Sequence, residues 1–354
     1  MRILIDIGHP GHVHLFKHFG RVMQARGHQI LFTCRQKEFE TELLKAEGLP
    51  YVSFGRHHLT RAGKILGLVK FNGRMLREAL RFKPDIFLSH GSIYAAQVAW
   101  LLKKPHVSLE DSGNMEQIRL YRPFSSCMLT PSFLPWDFGR KQIRYDGYHE
   151  LAYLHPNWYK PDPSVRSLLG VAFDEPYAIL RFVSWKATHD RGHKGLSVKA
   201  KNALVEFLSG KMKVFISSEA PLPGYLKSFQ LKLAPERLHD ALAYAEIVVS
   251  EGATLASESG ILGTPAIYAS SIKTYNNLEQ EHKYGSVLNM GQEQNILERV
   301  RDVLNNHHSK DGGSTRKLIE DKIDVTSFLA WFVESFPKSL QVMRENPAYQ
   351  DRFR

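Results

Sequence analysis

The sequence predicts an α/β protein of two doubly wound, Rossmann-like domains that face each other across a cleft. Three observations predict it. Short apolar runs alternate with helical segments from end to end, which is the βαβ rhythm of parallel sheets. The rhythm breaks once, over 145–164, and then resumes. The chain has 354 residues, long for one core and comfortable for two.

The elements follow in order. "RILIDI" (2–7) reads as a buried strand. A helical period over 13–26 ends at Gly27, a natural cap. "QILFTC" (29–34) is the next strand, followed by a helix over 37–47 that Gly48 closes. "YVSF" precedes a long helix over 63–82, which "KPD" ends. "IFLS" (86–89), a helix over 93–102, "HVSL" (106–109) and "CMLT" (127–130) continue the series. The segment 145–164 carries three prolines and no clean period, and reads as an interdomain linker with ordered side chains. A second series runs through 177–183, 213–217, 246–250, 265–269 and a short strand near 286–288. The expected domains are 1–160 and 161–335, with a tail at 336–354 that packs back on the first.

Apolar residues make up 43% of the chain, a foldable composition, and no apolar run is long enough to span a bilayer. The chain enters a strand at once, so a cytoplasmic protein without a signal peptide is expected. The two cysteines, Cys34 and Cys127, read as reduced core residues. The formal charge of +11 suits nucleic acid, anionic membrane or phosphorylated substrates. No zinc-finger spacing, RNP-like strand or basic tail supports nucleic acid. Lys70, Arg74, Arg77 and Arg81 fall on one face of the long helix, with Arg61 and Lys64 just before them. Leu66, Val69, Leu76 and Leu80 are expected inward. Such a face is either plainly solvated or a dock for anionic lipid at the inner membrane surface, useful if the acceptor is lipid-linked.

Four loops carry candidate chemistry. "GHPGHVHLF" opens the first helix, with Gly8 and Gly11 keeping it thin and His9, His12, His14 and His18 close in sequence. His14 and His18, four apart, have a spacing that can ligate a metal, but no carboxylate or cysteine cluster completes a set, so no metal is expected. His12 lies at the carboxyl edge of the sheet, a candidate general base or acceptor-positioning group. "RFVSWKATHD" places Arg181, Ser184 and Lys186 at a strand end, where cations could offset leaving-group charge in place of a metal ion. "VSLEDSG" places Glu110 and Asp111 at another strand end, as cleft carboxylates or a helix-capping pair. "SEGATLASESG" turns tightly at Gly252 into a helix near Ala253 or Thr254, a ready anion site, with Glu258 one turn in. The plain alternative is an ordinary βα turn.

These loops resemble known families. "GATLASESGILGTPAI" is similar to the nucleotide-sugar motif of glycosyltransferase-B fold enzymes, closest to the "GALTVSE" pattern of the peptidoglycan lipid-intermediate N-acetylglucosaminyltransferase. Gly252, Ala253, Ser257 and Glu258 match, and Thr254 and Leu255 match with their order exchanged. The resemblance implies that the Gly-Ala turn holds a diphosphate and Glu258 a ribose. "GHPGHVHLF" resembles the "GGTGGHVFP" loop of the same enzyme, with His12 on the matching His. "ATHDR" resembles the "THRREN" element of non-hydrolysing UDP-N-acetylglucosamine 2-epimerases, with His189 on the matching His. Glu110 fits their "EAG" loop, and Glu116 with Arg119 their "E-x-x-R" element. Ser92 stands where that pattern has Asp. As a whole the chain resembles the prokaryotic domain-of-unknown-function family 354, through "GHPGHVHLFK", "GYHELAYL" and "RFVSWKATHD".

The resemblance and the residues together point to an enzyme. The expectation is a metal-independent glycosyltransferase that uses a nucleotide-diphosphate sugar, UDP-linked by the resemblance, in surface-polysaccharide or glycoconjugate synthesis, with no cofactor. The expected catalytic residues are His12, Glu110 and Glu116. The expected nucleotide-sugar residues are Arg181, Ser184, Lys186, His189, Gly252, Ala253, Thr254 and Glu258. A 2-epimerase-like isomerase and a non-catalytic nucleotide-sugar binder are the alternatives.

Overall fold

The structure is a computed structural model that describes residues 1–354 except 37, 57–60, 185–194, 292–294 and 307–312, and leaves the side chains of 61–66 and 306 undescribed. The chain divides into two compact units, Met1–Trp158 with Lys322–Arg354, and Tyr159–Asp321.

In the first unit β1 (Arg2–Ile7), α1 (Pro10–Ala25), β2 (Gln29–Gln36), α2 (Glu40–Ala46), β3 (Tyr51–Arg56) and α3 (Arg61–Phe82) come first. Then come β4 (Ile86–His90), α4 (Ile93–Leu101), β5 (His106–Leu109), α5 (Met115–Tyr121), β6 (Cys127–Pro131), β7 (Gln142–Tyr145) and the single turn α6 (Leu151–Leu154). The seven strands are parallel, in the order 3-2-1-4-5-6-7. Central strands are covered on both faces, so in β1, β4 and β5 almost every residue is buried, the polar Asp6, Ser89, His106 and Ser108 included. The strand order reverses between β1 and β4. Right-handed crossovers then put α1 and α2 on one face and α3, α4 and α5 on the other. The carboxyl ends of β1 and β4 open a crevice at that switch point, where doubly wound sheets bind ligands.

In the second unit α7 (Val165–Leu168), β8 (Tyr177–Phe182), α8 (Val198–Ser209), β9 (Lys213–Ser218), α9 (Leu238–Tyr244) and β10 (Ile247–Ser250) lead to α10 (Ala253–Ile261). It continues with β11 (Ala266–Tyr268), α11 (Tyr275–Tyr284), β12 (Val287–Asn289), α12 (Ile296–Asn306) and α13 (Gly313–Asp321). Its five strands are parallel in the order 12-11-10-8-9, so the reversal lies between β8 and β10. Apolar clusters line both faces of this sheet, one built with α8 and α12 and the other with α9 and α10. The fold class expected from the sequence is the one observed: two separate doubly wound sheets.

Three expectations need correction. Most of 145–164 is not linker: Tyr145, Tyr148, Leu151, Ala152, Tyr153 and Leu154 are buried in the first unit, and the chain leaves it only after Trp158. The return comes at Lys322, before the expected 336. It is held there by α14 (Val325–Glu334), an apolar helix packed against α1 and α6. Asp324 caps that helix and accepts hydrogen bonds from Trp158 Nε1 at 2.7 Å and Asn157 Nδ2 at 2.9 Å, while Lys322 Nζ reaches Asp146 at 2.6 Å. The last helix, α15 (Lys338–Glu345), and the final turn also pack on this unit, where Gln350 Oε1 accepts from the Asp146 amide at 2.6 Å. On α3 the inward stripe is Phe71, Met75 and Ala79. Val69 and Leu80, expected inward, are 73% and 56% exposed, because they sit off that four-residue stripe. Leu66, Arg61 and Lys64 belong to the side chains left undescribed.

Candidate functional site: a histidine–aspartate row at the switch point

The strand ends of the first unit bring together residues that are far apart in sequence. α1 starts with His9 as its N-cap, whose Nδ1 accepts from the Gly11 amide at 3.1 Å, and with Pro10 in its first turn. One turn in, His12 Nδ1 accepts from the Gly8 amide at 3.2 Å. His90 ends β4. Gly91, at φ +60, turns the backbone sharply, and Ser92 caps α4. Asp111 follows β5. His149 follows β7, in the stretch expected to be linker.

The rings form a row. His12 stacks on His90 at 4.6 Å, His90 meets His149 edge-on at 5.2 Å, and His149 lies parallel to Tyr145 at 6.3 Å. Asp111 sits between two of them. Oδ1 is 2.9 Å from His90 Nε2 and Oδ2 is 3.0 Å from His149 Nδ1. The far nitrogen, His149 Nε2, is buried and has no hydrogen-bond partner among the described residues, and neither has the buried Tyr145 hydroxyl. Unpaired buried polar atoms are costly, and these two, adjacent in one row, could take hydrogen bonds from a bound molecule.

The electrostatics sort the imidazoles. Burial pushes His12 well below the usual histidine range, and His90 and His9 push it further. Burial also opposes charge on His90, but the hydrogen bond and charge of Asp111, with Glu110, outweigh it and raise its pKa. Burial works against the Asp111 carboxylate, yet His149 and His90 hold it well below the usual carboxylate range. His12 is thus the neutral ring. Because Gly8 donates to its Nδ1, its proton sits on Nε2, and it presents a donor rather than a base. This arrangement favours the positioning role expected of His12 over the general-base one.

A second framework holds the loops from beneath. Asp6, fully buried in β1, accepts from Arg35 Nη1 at 2.7 Å, from Thr33 Oγ1 at 2.8 Å and from the Ser92 hydroxyl. Arg35 also donates to the Ile7 carbonyl at 3.1 Å, just before the histidine loop. Glu110 has a similar task. Its Oε1 accepts from the Ser112 and Gly113 amides at 2.8 and 2.9 Å and from the Ser112 hydroxyl at 2.6 Å, and its Oε2 accepts from Tyr121 at 2.8 Å. The Glu110 carboxylate is engaged by the loop that presents Asp111, and Asp111 is the carboxylate that meets the imidazoles. Gly113, at φ +65, lies under Trp136, where a Cβ would fall 2.0 Å from the ring. Glu116 is exposed in the first turn of α5 and makes no hydrogen bond or ion pair among the described residues, so it does not join the row.

His14 and His18 do not converge on the row. They pack on Tyr153 and Trp158, at 5.4 and 5.9 Å. His18, expected at the surface, is half-buried, and burial first, then Lys17 and Arg21, lower its pKa to about 4. The metal-capable set is elsewhere: one donor atom each from His90, Asp111 and His149 lie within 4.8 Å of one another. Among the described residues, those three could ligate a divalent cation. Sequence reasoning named Asp111 as a cleft carboxylate but missed His90 and His149 and the set the three make, because they come from three strand ends. The signal available was their place, since each ends or follows a strand on one side of the sheet.

In the second unit α10 starts at Gly252 with no side-chain cap, so no capping side chain takes its first amides among the described residues. Glu258 is buried one turn on, with Oε1 3.1 Å from His239 Nε2 of α9. Arg181 and Ser184 are nearby but engaged: Arg181 Nη2 donates to Glu219 at 2.8 Å and Ser184 to the other Glu219 oxygen at 3.2 Å. The expected free cation is therefore a neutralised one. Lys186 and His189 lie outside the described residues. Sequence reasoning missed Glu251, buried and accepting from Val183 N and Leu196 N at 2.7 Å each and from Lys201, which fixes the chain after β8.

Burial makes stability depend on pH. His106, fully buried between Ser89 and Ser125, is lowered by desolvation to about 3, and His18 to about 4. Unfolded, both bind protons below about 6.5. Between that pH and their folded values the unfolded state holds more protons, so stability falls as pH falls. His106 alone should contribute up to about 1.4 kcal/mol per pH unit. His90, raised, acts oppositely: its contribution is full at low pH and lost as pH rises through its folded value. Urea titrations from neutral pH downward should show this slope, and His106→Gln should flatten it. An unchanged slope would remove His106 from the account.

The family described as "Protein of unknown function (DUF354)" matches residues 1–326. No curated relative matches the sequence. Among solved structures, the UDP-GlcNAc 2-epimerase from Neisseria meningitidis bound to UDP-GlcNAc has a TM-score of 0.64 at 14% identity, covering 96% of this chain and 100% of that one. The UDP-GlcNAc 2-epimerase from Methanocaldococcus jannaschii has a TM-score of 0.61 at 15% identity, covering 94% and 100%. SsfS6, a Streptomyces sp. SF2575 glycosyltransferase, has a TM-score of 0.55 at 16% identity, covering 95% and 100%. At these identities the likeness is one of fold: two Rossmann-like domains of the glycosyltransferase-B kind, shared by transferases and 2-epimerases.

Proposed function

We propose that this chain, which belongs to the DUF354 family of proteins of unknown function, is an enzyme. It binds a nucleotide-diphosphate sugar, UDP-linked, on its second unit and transfers the sugar to an acceptor hydroxyl in surface-polysaccharide or glycoconjugate synthesis. The observation that carries the reading is the row His12–His90–Asp111–His149 at the switch point of the first unit. Acid–base transfer needs a group that takes a proton and a partner that fixes its tautomer. His149 supplies the first and Asp111 the second, with Nδ1–H toward the carboxylate and the lone pair on Nε2. His12 Nε2–H is a donor for an acceptor or sugar oxygen.

The uncapped start of α10 supports the substrate class. Free amides and the helix dipole favour a diphosphate there without an obligatory metal ion. Buried Glu258 supports a hydroxyl-bearing ribose beside it. Glu258→Gln should weaken UDP binding by roughly 1.5–3 kcal/mol, the worth of a charged hydrogen bond. Calorimetry checks this, and unchanged affinity would remove Glu258 from the site.

A 2-epimerase is the second reading, favoured by one observation: Asp111 holds two imidazoles side by side, one of them proton-rich. Ser92 and Glu110, both committed to loop hydrogen bonds, weigh against it. Proton NMR of UDP-N-acetylglucosamine and other nucleotide sugars with candidate acceptors separates the readings. Released nucleoside diphosphate supports transfer and a new sugar epimer supports isomerisation. Binding with neither, acceptors supplied, would leave only a non-catalytic binder.

A further inference from the structure

The opposite edge of the first sheet carries a different kind of surface. α4 and α5 run back toward the amino ends of the strands, so their last residues lie on that edge. Arg140 and Lys141 immediately precede β7 and lie there too. A depression of about 450 Å³ opens among Arg119, Arg122, Pro123, Arg140 and Lys141. Among the described residues no carboxylate lines it. The side chains of Arg119, Arg122 and Arg140 make no hydrogen bond or ion pair among the described residues. Lys141 Nζ is tied in place, donating to the Pro123 carbonyl at 2.8 Å and the Arg122 carbonyl at 3.2 Å. Burial, and then Arg122, lower its pKa, so the ammonium sits where it is under-compensated.

Exposed large apolar side chains stand on the same helices, α4 and α5. Trp100 and Leu101, at the end of α4, are 62% and 57% exposed, and Leu120 on α5 is 54% exposed. Trp100 packs edge-on against Phe124, next to Pro123, at 5.6 Å. Lys103 and Lys104 follow directly and are exposed. A soluble surface hides such side chains or scatters them. Exposed Trp and Leu on the helices that lead into a cationic depression are the composition of a membrane interface, where the indole sits at headgroup depth and the cations meet phosphate.

We propose that the depression at Arg119, Arg122, Arg140 and Lys141 takes the phosphate of an anionic phospholipid headgroup, while Trp100, Leu101 and Leu120 enter the acyl boundary. Charge complementarity selects the occupant, because four cations with no carboxylate lining the depression among the described residues match an anionic bilayer. The surface lies on α4, α5 and the approach to β7, not on the basic face of α3 alone. The proposal stands independently of the reaction at the histidine row.

Co-sedimentation of the full chain with vesicles tests it. Binding is expected to phosphatidylcholine vesicles that contain phosphatidylglycerol, to fall with added salt, and to be absent with phosphatidylcholine alone. Arg119→Ala with Arg140→Ala should weaken it roughly thirtyfold, two interfacial charges being lost. Trp100→Ser should weaken it several-fold without changing the preference for anionic lipid. Circular dichroism melts confirm that both variants fold. No binding by the wild type, or equal binding by the double variant, would overturn the assignment. So would inorganic phosphate that binds the double-Arg site as tightly as vesicles do, since the ligand would then be a soluble anion.

Discussion

Asp111→Asn is expected to lower turnover by about 10²–10⁴-fold, the range for loss of a positioned acid–base unit. Asp111 accepts from imidazoles on both sides, at 2.9 and 3.0 Å. An asparagine keeps the shape but can accept at only one of those positions. Its amide N–H would face the other ring and force that ring into the opposite tautomer. If the flipped ring is His149, Nε2 becomes a donor and no longer takes a proton. The ring geometry survives, so UDP affinity of the second unit should be unchanged while turnover collapses. Equal losses in turnover and in folded fraction would make Asp111 merely structural. Stoichiometric zinc or manganese in the purified wild type, lost in Asp111→Asn together with activity, would assign the three residues to a cation instead of a proton relay.

Arg35→Ala should destabilise the fold by about 3–5 kcal/mol, the cost of stranding one partner of a buried ion pair. Asp6 has no exposed surface, and Arg35 side-chain exposure is 7%. With the guanidinium gone, Asp6 keeps only the hydroxyls of Thr33 and Ser92. It must stay charged without its cation or take up a proton. The Ile7 carbonyl also loses its donor, and the face of Tyr94 loses the guanidinium at 4.7 Å. Urea denaturation at neutral pH measures the loss. Asp6→Asn with Arg35→Met, which removes both charges, should be less damaging than Arg35→Ala alone. A loss under about 1 kcal/mol in Arg35→Ala would show that the pair is not what holds the loop.

The legible part of this protein was the part with a local cause. "RILIDI", "IFLS" and "IVVS" are apolar because a central parallel strand is covered on both faces, and that requirement is written along the chain itself. Gly27 and Gly48, at φ +82 and +65, end helices where the periodicity alone would place the ends. The start of α10 at Gly252 was readable for the same reason, since a turn and a helix start are short-range events. Val69 and Leu80 misled because an apolar residue on a helix can be inward or outward, and only the packing of α3 against its sheet decides the stripe. The stretch 145–164 misled more deeply. Its prolines and aromatics look irregular, yet Tyr145 and Tyr148 are buried against Phe328 and Lys322, more than a hundred positions away, and His149 against Asp111 and His90.

By itself the sequence determined the order of strands and helices, the presence of two sheets and the loops where chemistry could sit. Each of these follows from periodicity and turn residues within a window of a few residues. Which loop residues meet was decided only by the tertiary structure. His12, His90, Asp111 and His149 lie on four separate connections, and it is the strand order 3-2-1-4-5-6-7 that sets their ends side by side. The roles of Glu110 and Asp111, adjacent in sequence, diverged for a similar reason. One carboxylate turns into its own loop and is saturated by amides, while the other projects between two imidazoles. A side chain's chemistry depends on the groups within about 3 Å of it, and those neighbours come from strand order and loop course, not from proximity along the chain.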